Sequence, residues 1–114
     1  MTEDGFRRLA LGFPEAIESA HMGHPDFRVN KKIFATLHHP GAGWGMVRLT
    51  PEQQRRAMEA APDAFVPCNG AWGRQGATNV NLKVVKKGAL QRALMLAWRN
   101  VAPARLVDEA GPEL

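Results

Sequence analysis

A chain of 114 residues with 45% hydrophobic and 23% charged side chains has the size and make-up of one globular domain that buries its core without staples. A single cysteine excludes an internal disulfide, and no apolar run approaches the roughly 18 residues of a membrane span. The acidic Met-Thr-Glu-Asp start reads as a helix opening and not as a signal peptide, so the expectation is a cytoplasmic protein. Cys68 is then a small core or loop residue in a reducing compartment.

The net charge of +4 is modest but unevenly spread. No Asp or Glu occurs from Ala64 to Val107, a span that carries Arg74, Lys83, Lys86, Lys87, Arg92, Arg99 and Arg105. Upstream, Arg7, Arg8, Arg28, Lys31, Lys32, Arg48, Arg55 and Arg56 face six acidic residues up to Glu52. A one-sided field of this kind suits an anionic partner, nucleic acid first, and the equal alternative is a merely solvated basic surface.

Thr2 can cap a first helix whose Phe6, Leu9 and Ala10 share a face, with Gly12 and Pro14 ending it. Ile17 to Met22 reads as a short strand, punctuated by Gly23, Pro25 and Asp26 as a turn. Phe27 to Leu37 reads as a hairpin turning at Asn30-Lys31, with Phe27 and Val29 opposite Arg28. After the Gly/Pro loop His38 to Gly43, Trp44 to Leu49 forms another strand, Val47 and Leu49 alternating with Met46 and Arg48.

Thr50-Pro51-Glu52-Gln53 combines an N-cap, a proline at the first helical position and a capping-box glutamine, so a helix should run to about Ala61. Phe65 to Leu82 then reads as two paired strands around a glycine-hinged tip, Trp72-Gly73-Arg74-Gln75-Gly76. Thr78, Val80, Leu82 and Val84 alternate with Asn79, Asn81 and Lys83, so one set faces the core and the other faces water or a ligand. Leu90, Leu94, Ala97, Trp98 and Val101 form the stripe of a last helix that ends at Pro103. Residues 1–107 are expected to form one domain and residues 108–114 a frayed tail. The order predicts an α+β fold of two layers: an antiparallel sheet of about five strands with helices on one face, arranged α, three or four β, α, two β, α.

The segments His21-Met22-Gly23-His24-Pro25-Asp26-Phe27-Arg28-Val29 and Lys32 to Leu37 resemble the MmcQ/YjbR family. So do Phe13-Pro14-Glu15, the Trp72-Gly73-Arg74 loop with Thr78 to Leu82 behind it, and the closing helix with Trp98 and Pro103, in order across roughly Phe6 to Leu106. The resemblance implies a small α+β fold similar to secretion-chaperone and frataxin-like layouts. It also implies DNA binding, through a sheet that looks like the double wing of a phage transcription activator. Fold alone does not fix function, and the family offers no established catalytic residues to transfer.

The leading site is a nucleic-acid face: Arg28 with the outward Asn79, Asn81 and Lys83, flanked by Trp72 and Arg74. Lys and Arg neutralise phosphate, Asn pairs with base edges, and Trp72 can stack on an exposed base. Lys86 and Lys87 open a helix against its dipole, which suits a phosphate better than the helix itself. The bland counterpart is a solvated polar face. His21, His24, His38 and His39 could gather at one end of the hairpin, but zinc spacing and thiolate or carboxylate partners are lacking, so no metal or other cofactor is expected. An acidic ridge for frataxin-like iron is also missing. Cys68 with a histidine is the one nucleophile–base pair available and lacks an oxyanion signature, so the reading is non-enzymatic. The alternative is a protein-interaction or chaperone-like module that binds a peptide or a second copy at Trp44, Met46 and Trp72.

Overall fold

The computed structural model describes residues 1–111. Helix α1 (Glu3–Leu11) leads into β1 (Ile17–His21), β2 (His24–Val29), β3 (Lys32–Leu37) and β4 (Trp44–Arg48). Helix α2 (Pro51–Ala60), β5 (Phe65–Pro67), α3 (Gly70–Arg74), β6 (Ala77–Asn81), α4 (Lys87–Val101) and α5 (Ala104–Ala110) follow. The strands form one open antiparallel sheet of six, in the order β1-β2-β3-β4-β6-β5. The expected α+β layering holds, with one strand more than anticipated.

Local chemistry sets the ends of these elements. The Thr2 hydroxyl accepts from the Gly5 N–H at 2.9 Å. Thr50 and Gln53 complete the reciprocal capping box at the start of α2. Asn30 and Lys31 both take positive φ, 51° and 68°, the mirror-image turn that a tight hairpin requires. The preceding hairpin turns at Met22-Gly23, not at Gly23-Pro25-Asp26, so Pro25 and Asp26 lie within β2. A bulge opposite Phe27 and Arg28 directs both Phe34 and Ala35 to the core, which strict alternation could not have predicted.

The main core lies between the sheet and the helices. Trp98 of α4 is fully buried, stacks on Phe13 with 6.1 Å between ring centroids, and donates its indole N–H to the Pro14 carbonyl. Phe6, Phe27, Phe34, Val47, Val80, Leu90 and Leu94 complete this layer. Val84 departs from the expected alternation. Asn81 to Val85 is a turn closed by Val84 and Val85 N–H bonds to the Asn81 carbonyl, so Val84 is exposed and Val85 takes its place inside. Helix α4 stops at Val101, before Pro103, and α5 carries Asp108 to Ala110, the first residues of the expected tail, as helix; residues 112–114 lie outside the described residues. Among the described residues no helix is long and apolar enough to cross a membrane.

Candidate functional site on the open sheet face

Side chains that point away from the core helices form a second, polar layer. Asp26 of β2 is fully buried there. One of its carboxylate oxygens accepts from Arg28 Nε at 2.7 Å; the other accepts from Arg28 NH2 at 3.0 Å and lies 2.7 Å from His21 Nδ1. Burial by itself would raise this carboxyl, but the Arg28 guanidinium and the His21 imidazole outweigh it and hold the group below the ordinary range. Because the ionised carboxylate can only accept, His21 donates to it from Nδ1.

A second knot lies on β6. Asn79 is 8% exposed, and its Oδ1 accepts from the Cys68 thiol at 3.1 Å and lies 2.9 Å from His39 Nδ1. His39 in turn meets Trp72 edge-to-face at 5.2 Å and approaches the His24 ring at 6.4 Å, while His24 lies 6.0 Å from His21. The loop bearing His39 and the short helix bearing Trp72 thus fold over the middle of the sheet. This cover explains why Met46, Thr36 and Asn79 are buried on a face that alternation assigns to water. Beside it lies a cavity of about 310 Å³ lined by His39, Trp44, Val66, Cys68, Trp72 and Asn79.

The residues expected to bind nucleic acid are therefore divided. Arg28 is bound to Asp26, and Asn79 is committed to His39 and Cys68. Asn81 Oδ1 accepts from the Lys83 N–H, and Lys83 sits in the turn beyond β6 and not on its outward face. Trp72 and Arg74 are exposed on α3, before β6, where a flexible tip had been expected. Lys86 and Lys87 are exposed at the start of α4, which packs on β3 and β4 from the core side. Arg74, Lys83, Lys86 and Lys87 make no salt bridge among the described residues.

Three of the four histidines do gather. His38 departs to the other side and pairs with Glu3 at 2.8 Å. Among the described residues no group of three or more His, Cys, Asp or Glu side chains is arranged to hold a metal. Burial pushes the Cys68 thiol up to about 11, so it stays protonated and is a poor nucleophile. Sequence reasoning missed Asp26 as the centre of this face. The signal was present as alternation: Asp26 and Arg28 are two apart on one strand, and such a pair faces the same way.

A family model described as YjbR matches residues 11–100. The chain belongs to the YjbR family. This YjbR protein has the same fold as the crystal structure of Deinococcus radiodurans protein DR2400, which carries a DUF419 domain: the TM-score is 0.76 at 16% identity, covering 95% of this chain and 83% of that one. No curated protein sequence matches it.

Proposed function

We propose that this YjbR protein is a non-enzymatic DNA-binding protein that docks DNA at the corner where α3 meets the open sheet face. The observation that carries this reading is the acid-free span from Ala64 to Val107, whose Arg74, Lys83, Lys86 and Lys87 stand exposed and make no salt bridge among the described residues. Arg74 and Lys83 flank β6 at its two ends and serve as phosphate contacts, and Trp72, 36% exposed, packs on a sugar or an unstacked base. Arg28 and Asn79 shape the face from beneath. With few free base-reading groups on the face, binding is mainly electrostatic and sequence preference is weak.

Fluorescence anisotropy with a short duplex tests this. Affinity should fall steeply as salt rises, with a slope of about 0.9 per phosphate neutralised. Replacing Arg74 and Lys83 by Ala should flatten the slope by about two contacts, and Trp72→Ala should weaken binding by about ten-fold, within the 1–3 kcal/mol of an aromatic–base contact. Absence of binding at ~50 mM salt, where counterion release is strongly favourable, would discard the proposal.

A second reading rests on the edge of the sheet. Strand β1 is an edge strand with four of its five residues exposed, Ile17 is 58% exposed, and Met22 at the adjoining turn is 92% exposed. An unprotected edge of this kind suits strand addition by a peptide or a second copy. Binding retained at high salt and lost on Ile17→Lys would favour it.

A further inference from the structure

Helices α2 and α4 run antiparallel on the core side of the sheet and are tied together near both ends. At one end Asn100 of α4 donates to Gln53 Oε1 of α2 at 2.8 Å and to the Arg48 carbonyl at 2.9 Å. At the other end the Asn81 N–H donates to the Ala64 carbonyl at 2.8 Å, so the exit of α2 lies beside the entry to α4. Between these ties lies a cleft of about 580 Å³, the larger of the two cavities described. Its floor is Leu49, Ala64, Phe65 and Ala93, and its walls carry side chains as small as Ala57 and Ala89, which leave the space between them open. Helix α2 buries none of its residues completely, although it borders this apolar floor.

The polar groups at the mouth are unequal. Arg56 is joined to Glu52 at 3.1 Å, Asp63 is the one acid lining the cleft, and Lys86 and Arg92 have no carboxylate partner among the described residues. The lining spans Gln53 to Ala61 on α2 and Lys86 to Leu96 on α4, a groove about 15 Å long at 1.5 Å per helical residue. Its volume falls in the range of small-molecule sites, about 300–1,000 Å³. An apolar trough of this length with two unpaired cations at its rim is complementary to an unbranched apolar chain that ends in one anionic group.

We propose that the α2–α4 cleft binds a medium-chain fatty acid anion, with the acyl chain along Ala57, Phe65 and Ala93 and the carboxylate at Lys86 and Arg92. The cleft shares Lys86 with the basic surface of the DNA reading, but Trp72 and Arg74 lie outside it, so variants at those two positions tell the readings apart.

Isothermal titration of the full chain with dodecanoate below its micelle concentration, alongside thermal unfolding, tests the proposal. One saturable site and a rise in melting temperature are expected, with dodecanol binding at least ten-fold more weakly. The exposed double variant Lys86→Glu/Arg92→Glu should lose about ten-fold in affinity, the equivalent of 1.4 kcal/mol. Ala89→Trp, which fills the trough, should abolish binding, and Trp72→Ala should leave it unchanged. No saturable binding, equal binding of dodecanol, or affinity unaltered by the charge-reversed or the filled variant would each overturn the proposal. Loss of duplex binding with dodecanoate binding intact would remove the DNA reading alone.

Discussion

On the open face of the sheet, Asp26 accepts charge-assisted hydrogen bonds from Arg28 and faces the His21 imidazole while fully buried; at the α2–α4 cleft, Lys86 and Arg92 border apolar side chains and meet no carboxylate among the described residues. The first surface is largely closed on itself: Asp26 is matched by Arg28 and His21, and Asn79 by His39 and Cys68, while His24 Nδ1 and Thr36 Oγ1 stay buried without a partner among the described residues. The second leaves both its cations and its hydrophobic area unspent. Satisfied polar networks make a surface rigid, whereas unpaired cations beside apolar surface leave interaction energy for a ligand. The sheet face therefore supplies a platform, and the DNA contacts proposed above fall at its rim, with Trp72, Arg74 and Lys83.

The two regions share one joint, and breaking it should have the largest effect. A Cβ on Gly73 would lie 1.7 Å from the Cys68 carbonyl oxygen, a clash that no side-chain rotation can relieve. Gly73 also accepts from Gln54 of α2 while belonging to the helix that carries Trp72. Gly73→Ala should cost more than about 4 kcal/mol, in the range reserved for severe steric disruption, and should abolish both binding activities together. Chemical denaturation measures the loss. A shift below about 1 kcal/mol would mean that the corner yields freely.

A smaller lesion should separate the regions. Asp26→Asn removes the charge that Arg28 and His21 share. Truncating one partner of a fully buried ion pair costs about 3–5 kcal/mol, but the Arg28 side chain is 28% exposed and can turn to water, so about 2 kcal/mol is expected at neutral pH. The sign with pH follows from the depressed carboxyl. Its contribution is present above the ordinary value of 3.8 and is lost as pH falls through the lower value of the folded state. The wild-type and Asp26→Asn stability curves should therefore converge in acid, while dodecanoate binding at neutral pH stays unchanged. Curves that run parallel into acid would show that the pair adds nothing.

Much of this organisation was legible in the sequence, and the misses have physical causes. Both ends of α2 follow from Thr50-Pro51-Glu52-Gln53 and Pro62, because capping chemistry is local. The tip at Trp72 reads as a loop because three glycines disfavour a helix; α3 forms regardless, since Gly73 is the residue that can approach the Cys68 backbone so closely. The outward face of β6 reads as open because alternation says which way a side chain points, not what folds over it. Covering Asn79 takes His39, forty residues away in sequence, and the Trp72 helix, a tertiary event with no local signature. Lys86 and Lys87 do open a helix as expected, but sequence proximity to β6 does not reveal that the chain turns at Asn81–Val85 and that this helix packs on the core side, away from the face that Arg28 and Asn79 share.

Helix α2 gives the smallest and most selective test of the contrast. With no fully buried residue, it packs on the core only through half-buried side chains such as Ala57 and Met58, and its polar pins add to that hold. Gln54 Nε2 donates to the Gly73 and Ala77 carbonyls at 3.0 Å each, fixing α2 to the α3–β6 corner. Gln54→Met keeps the length and loses both bonds, and should cost about 1 kcal/mol, less than two full hydrogen bonds because the Gly73 and Ala77 carbonyls still accept from the Gly76 and Cys68 N–H groups. The sheet network should not register the change: the acid dependence contributed by Asp26 should persist. The cleft should, because the wall that faces Ala89 and Ala93 is then free to shift, and amide exchange in α2 should quicken before exchange in β2 or β3 does. Equal acceleration across all three would mean that the sheet and α2 unfold as one unit, and that the cleft is no softer than the face behind it.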